Sequence, residues 1–320
     1  MIDRENQHWI PRFLLRNFAD GDGRVYRLNV ADDTVTKRPP KFAAARPNFN
    51  ELLVDGDPKS FEEAFERLET AAAPAIAKII ELRSLHCITS QQRYALTRFI
   101  AAQTFRTEAY RLGLGAPGRR YDLGTTLAMH MSDLDALAAL IGQRRWALMV
   151  TDDKAPFYLG DNPVVLQSTE QPGRGGEVGL DMAGIEAFMP MSPNCALYMP
   201  CPTTGSEIIA GFWNALRIVS ANVASLELPD FEVAKALPIA HRTLESAGPL
   251  YRAMTHGEAL IADDENVQNL NYLQCAWSSS AIYSNQPDFS FALRVFRENP
   301  AYRETMPVSL RQVRGWTDLP

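Results

Sequence analysis

Cysteine is scarce in this 320-residue sequence: Cys87, Cys195, Cys201 and Cys275 are scattered, mostly in apolar strings such as LHCI, PNCALYM and YLQCAW. No pair has zinc-ribbon or redox CxxC spacing, so neither motif is present and buried, reduced thiols are expected. Long apolar runs are missing as well. No stretch approaches the roughly 18 residues a bilayer-crossing helix needs, and the start lacks the basic and apolar regions of a signal peptide. The expected compartment is the cytoplasm, with no membrane partner. A basic excess is absent too: 32 Lys and Arg stand against 38 Asp and Glu, a net charge of −6. That excludes a protein whose whole surface grips nucleic acid and leaves a local basic groove open. The Gly-rich stretch QPGRGGEVGLDMAG (171–184) is not closed by GK[ST] and reads as a plain loop. Ser192 lacks a nucleophile-elbow frame, and His130, His241 and His256 have no HExxH partner.

What remains is an ordinary globular composition, 46% hydrophobic and 22% charged, with length enough for a large core. QHWIPRFLLRNF (7–18) is too apolar for a free terminus, so it is expected to dock and to bury or half-bury His8, Arg12 and Arg16. RVYRLNV (24–30) suits a short strand, and the Pro-rich VTKRPPKFAAARPNF (35–49) reads as an extended surface loop. Ser60 and Glu63 form a capping-box pattern ahead of Phe61, Phe65, Leu68 and Ala72, which predicts a helix over about 61–84 with a kink near Pro74. Further helices are expected over about 90–112 and 125–142.

From about 145 the period shortens. RWALMVT, PFYLGD and PVVLQS carry the pattern of an antiparallel meander, and CALYMP reads as another strand. Residues 206–227 fit one helix or two short elements; a helix near 231–236, a Pro/Gly-punctuated stretch and a helix from Asp263 to about Ser280 complete the chain. The fold class is α+β: an N-terminal helical block packed on a mostly antiparallel sheet, with a C-terminal helix. Residues 1–320 are expected to form one large domain, helix-rich over about 1–142 and β-rich, with the C-terminal helix, over about 143–320.

Six strings, QHWIPRFLLRNF, FEEAFERLE, FIAAQTFRT, GDNPVV, MPMSP and NLNYLQCAWSSSAIYS, occur in that order over nearly the whole chain. Together they resemble the mostly bacterial DUF4238 family, a domain of unknown function. Its pattern is a His-x-x-Pro opening, paired glutamates, a Gln-x-x-Arg helix, a Ser-Asp-Asn-Pro turn, a Pro-Leu-Ser-Pro phrase and a late Asn helix. The resemblance implies no activity. It marks His8, Pro11, Glu62, Glu69, Gln103, Arg106, Asp161, Asn162, Pro163 and Asn271. Gly160 stands where the family has Ser, and Ser280 where a basic residue is expected, so a ligand held by that charge would bind differently here.

The marked residues have two physical readings each. Glu62, Glu66 and Glu69 share one helical face, which is either solvated or binds a hard divalent cation through Glu62 and Glu69. Gln103 and Arg106 share a face with Phe99, and Arg106 either pairs with Glu69 or grips a phosphate or carboxylate ligand. Asp161 either closes a turn or acts as metal ligand and general base, and His8 either packs or activates water. If residues 7–18 bring His8 and Arg12 toward Glu69, Arg106 and Asp161, the set suits phosphodiester hydrolysis. Glu62, Glu69 and Asp161 would then bind Mg²⁺ or Mn²⁺, His8, Arg106 and Asp161 would act catalytically, and Arg12, Gln103, Asn162 and Asn271 would bind a nucleic acid or nucleotide. The expected function is therefore a metal-dependent hydrolase or nuclease, in a defence or toxin setting. The alternative is a non-catalytic module that binds an anionic ligand or a protein partner.

Overall fold

Short strands around one small helix make up the segment before Glu62. The computed structural model describes residues 6–114, 122–152, 154–168, 179–224 and 231–303. Strand β1 (Asn6–His8) pairs antiparallel with β4 (Ala45–Pro47), placing His8 opposite Ala45. Helix α1 (Arg12–Asn17) starts after Pro11 and buries Leu14 and Leu15. These join Trp9, Ile10, Phe18 and Phe49 in a small core of their own. Arg12 and Arg16 lie one turn apart on the opposite face and are exposed, so only His8 is partly buried as expected of the three. Strand β2 (Val25–Asn29) pairs with β3 (Val35–Arg38), and a 3₁₀ turn (Pro40–Phe42) leads to β4, so the segment expected as a loop is mostly regular. Strands β5 (Glu51–Val54) and β6 (Asp57–Ser60) form a tight hairpin whose Asp55 and Gly56 both take positive φ, 52° and 90°. Asp-Gly supplies that geometry at little steric cost.

Helix α2 (Glu62–Leu82) runs through Pro74 and buries Phe65, Leu68 and Ala72, the positions its period marks. The capping box does not form there: Ser60 Oγ accepts weakly from the Glu62 N–H at 3.4 Å, while Glu63 pairs with Arg67. It forms instead at the start of α3 (Ser90–Phe105), between Thr89 and Gln92. The helix expected over 90–112 is broken into α3 and α4 (Glu108–Leu114), because the Thr107 hydroxyl accepts from the Tyr110 N–H and starts a new helix. The next is likewise two helices, α5 (Leu123–Ser132), capped by Asp122, and α6 (Leu134–Gly142).

Strands β7 (Ala147–Val150), β8 (Leu159–Gly160) and β9 (Val165–Ser168) are present but make no meander. The hairpin of β10 (Ile185–Ser192) and β11 (Cys195–Met199) lies between β7 and β9, and β8 joins a second sheet. Pro163, which has no N–H to give a ladder, follows the point where the chain leaves β8. Most of the Gly-rich loop, residues 171–178, lies outside the described residues.

Helix α7 (Pro202–Ala224) makes the ambiguous stretch one helix as far as residue 224; residues 225–227 lie outside the described residues. Helix α8 (Phe231–His256) is likewise continuous, carrying Pro238 and Pro249, where a short helix and a punctuated stretch were expected. Phe212 and Tyr251 stack between the two at 3.9 Å. After β12 (Ala259–Ile261), parallel to β7, come α9 (Asp264–Trp277), β13 (Ala281–Ser284), α10 (Ser290–Glu298) and a 3₁₀ turn.

One sheet has the order β12-β7-β11-β10-β9 and the other β3-β2-β13-β8, with all pairings antiparallel except β12 to β7. The class is α+β. Strands β1 to β6 precede Glu62 and, among the described residues, four helices follow Cys201, so both kinds of element occur on either side of residue 142. The largest core cluster runs from Leu28 to Tyr302 and takes in both. Cys195, Cys201 and Cys275 are buried and free, and Cys87 is half-buried and free. Among the described residues no helix is long and apolar enough to cross a membrane.

Candidate functional site

Arg106, at the end of α3, is 1% exposed. Its Nη1 donates to Glu69 Oε1 at 2.5 Å, its Nη2 donates to the His8 carbonyl at 2.5 Å, and its guanidinium lies 4.5 Å over the Phe65 ring. Phe65 and Glu69 stand one turn apart on α2, which lets a single arginine take both its stacking face and its ion partner from one helix. The N-terminal segment is thereby tied to the helical block through main chain.

The His8 ring faces the Pro40 carbonyl at 3.3 Å. Burial lowers its pKa, and the charges of Arg106 and Arg12 lower it further against the opposing pull of Pro40 and Glu62. His8 is therefore neutral at pH 7. Because the folded value lies below the ordinary 6.5, the unfolded chain binds the proton more readily, and stability falls as pH drops through and below that value. We expect the thermal midpoint to fall between pH 7 and pH 5.5, and His8→Gln to flatten part of the slope; equal slopes in both proteins would refute the assignment. Some slope stays because burial also lowers the pKa of His130.

Glu62 accepts from Asn50 Nδ2 at 2.5 Å. Asn50 also takes an N–H from Arg111 on its Oδ1 at 2.8 Å and gives its own backbone N–H to Gln7 Oε1 at 2.6 Å. Arg111 donates to the Phe49 carbonyl and stacks on that ring at 3.4 Å. Beside it, Arg46 pairs with Glu108 at 2.8 Å. Asn50 and Arg111 are central here and carried no recognisable signal, since the two lie 61 residues apart in sequence.

Asp161, 1% exposed, is filled from the bend between α9 and β13. Its Oδ1 accepts from the Ser279 N–H at 2.8 Å; its Oδ2 accepts from the hydroxyls of Ser279 and Ser280 at 2.8 and 2.6 Å and the Ser280 N–H at 2.7 Å. Asn271 and Gln274, one turn apart on α9, bond the backbone on either side of β8. Asn271 takes the Tyr158 N–H at 2.7 Å and donates to the Pro156 carbonyl at 3.0 Å, and Gln274 takes the Gly160 N–H at 2.7 Å and donates to the Pro163 carbonyl at 3.2 Å. The helix comes so close that a Cβ on Gly160 would sit 2.9 Å from the Gln274 carbonyl oxygen, which explains glycine where the family carries serine. Ser280, at the other departure, spends its hydroxyl on Asp161.

His8, Glu69 and Arg106 are thus brought into direct contact, with Glu62 linked through Asn50 and its charge felt by His8. Arg12 is exposed, near enough to act on His8 by charge. Asp161 stands in a separate clasp with Asn271 nearby, and Asn162 lines a cavity on its far side. Gln103 is 0% exposed, with neither amide atom bonded among the described residues. Among those residues no three His, Cys, Asp or Glu side chains are grouped as a metal site, so Glu62, Glu69 and Asp161 do not assemble into the expected centre. Each already has hydrogen-bond donors of its own.

A cleft of about 420 Å³ opens elsewhere, where the end of α8 meets the α6 to β7 turn. Its wall carries His86, Arg93, Arg144 and Arg145 and, among the described residues, no Asp or Glu. Arg144 is turned inward, donating to the carbonyls of Ile185, Met199 and Leu180 at 2.6, 3.1 and 2.6 Å. Arg93 lies 3.8 Å over the Trp146 ring and donates to the Arg144 carbonyl at 3.2 Å. That contact fixes its plane without neutralising it: among the described residues neither Arg93 nor Arg145 has a carboxylate partner. The adjacent arginines 144 and 145 were the one sequence signal for this cleft.

The family model described as "Protein of unknown function (DUF4238)" matches residues 6–125 and 120–288. No curated protein and no solved structure matches the chain.

Proposed function

Because the chain belongs to the DUF4238 family, whose description assigns no activity, we propose its function from geometry: a non-catalytic module that binds a small anionic ligand in the arginine cleft. The observation that carries this reading is a cleft lined by His86, Arg93, Arg144 and Arg145, without a carboxylate among the described residues, in a chain of net charge −6. Local positive charge against that background attracts anions, and a guanidinium held flat on an indole is preorganised to meet phosphate or carboxylate oxygens. A nucleotide phosphate is one ligand of this kind.

Phosphodiester hydrolysis with Mg²⁺ or Mn²⁺ has less support, because the carboxylates it would use as ligands are engaged: Glu69 by Arg106, Glu62 by Asn50 and Asp161 by two serines. Calorimetric titration with inorganic pyrophosphate tests the proposal. Wild type is expected to bind, with affinity falling as salt rises, and Arg93→Ala or Arg145→Ala to weaken binding about tenfold or more while the circular dichroism stays unchanged. Equal affinity in wild type and both variants, or no binding by wild type, would sink it.

A further inference from the structure

A second cavity, of about 380 Å³, lies on the other side of the Asp161 clasp. Its wall is mostly apolar, with Leu137 and Leu140 of α6, Val164 and Leu166 around β9, Leu180, and Trp277 at the end of α9. Asn162 interrupts this wall. It is 5% exposed, and its Oδ1 is buried without a hydrogen-bond partner among the described residues; Trp277, 8% exposed, has a buried indole N–H in the same state. Buried polar atoms are nearly always bonded in folded proteins, and leaving them unbonded destabilises the fold.

The position of Asn162 is fixed rather than loose. On one side Asp161 is held by Ser279 and Ser280, and on the other the Pro163 carbonyl is held by Gln274. Its amide is therefore a rigid group in an apolar wall, and half a turn of the amide about its last torsion exchanges donor and acceptor. Among the described residues Asp181 is the only charged one lining the cavity, which disfavours anions.

We propose that this cavity binds a neutral, flat, mostly apolar molecule of about two fused rings, one edge of which carries an N–H beside a C=O and pairs with the Asn162 amide. Such a ligand differs in charge and place from the anion of the arginine cleft, so the two sites stand or fall separately. Most of a bound ligand's surface would meet leucine, valine and tryptophan side chains, with orientation set by one amide, the common composition of a small-molecule site.

The probe is quinolin-2-one, a neutral bicyclic lactam, titrated against the full chain by ligand-observed NMR and thermal shift. N-methylquinolin-2-one, which lacks the donor, is the control. Wild type is expected to bind the lactam and to bind the N-methyl compound about tenfold more weakly. Asn162→Leu is expected to lose that preference while melting no lower than wild type, since it replaces an unbonded amide with an apolar group. Leu140→Trp, which fills the cavity from its half-buried side, is expected to abolish binding of both compounds. Should Asn162→Leu fail to fold, the preference in wild type and the Leu140→Trp result decide alone. No binding by wild type, no preference for the lactam, or unchanged binding by Leu140→Trp would each overturn the proposal.

Discussion

Replacing Arg106 with alanine is expected to destabilise the protein by about 3–5 kcal/mol, the usual cost of breaking a buried ion pair from one side. The substitution leaves Glu69 without its cation, frees the His8 carbonyl and removes the stack on Phe65. In a chain of this length the thermal midpoint should fall by roughly 10 °C. Arg106→Lys should recover little, because a point ammonium cannot bond a carboxylate and a carbonyl from one plane while covering a ring. Equilibrium urea unfolding measures the loss. A change below about 1 kcal/mol would mean that the arginine is held for a ligand and not for the fold.

Asp161→Ala is expected to cost a similar amount, about 3–5 kcal/mol, since three backbone N–H groups, of Ser279, Ser280 and Ala281, and two hydroxyls lose a charged acceptor in a buried place. Asp161→Asn should do almost as badly, because its NH₂ must face donors. Ser280→Ala removes one donor of several and should cost about 1 kcal/mol. The series separates the two roles open to this residue. A metal-ligating carboxylate destabilises its own apoprotein, so Asp161→Asn would melt at or above wild type and Mn²⁺ would raise the wild-type midpoint. A clasp gives the reverse: a lower midpoint for the variant and none of the Mn²⁺ effect.

Elements whose local chemistry agreed with their tertiary setting were legible in the sequence. Helix α2 kept its period because one face packs and the other is wet, and α9 starts at Asp263, whose side chain accepts from the Asn266 N–H at 2.8 Å. Strand β10 was missed because it is buried on both faces and shows no alternation. Helix α8 was legible only at its start, near 231–236, because two prolines read as breakers, although the helix runs through both. The breaks at Thr107 and Asp133 were hidden by apolar periods that continue across them. In the candidate site, residue types were readable and, apart from one ion pair, partners were not. Arginine at 106 announced a carboxylate, and Glu69 was the natural choice. Nothing near Asp161 announced that serines more than a hundred residues away would fill its oxygens.

The pairing of β2 with β13 joins residues 25–29 to residues 281–284. During synthesis the first of these strands leaves the ribosome well before the second and has no permanent neighbour on that edge until residues 281–284 have been made. Its backbone donors and acceptors stay open in the meantime, next to the apolar residues of QHWIPRFLLRNF. Long-range closure of this kind is slow, and nascent chains that stall short of β13 offer a free strand edge to one another. The late, polar bend at Ser279 and Ser280 is thus also the step that ends this vulnerability, because gripping Asp161 sets β13 in line to receive β2 and β8 together.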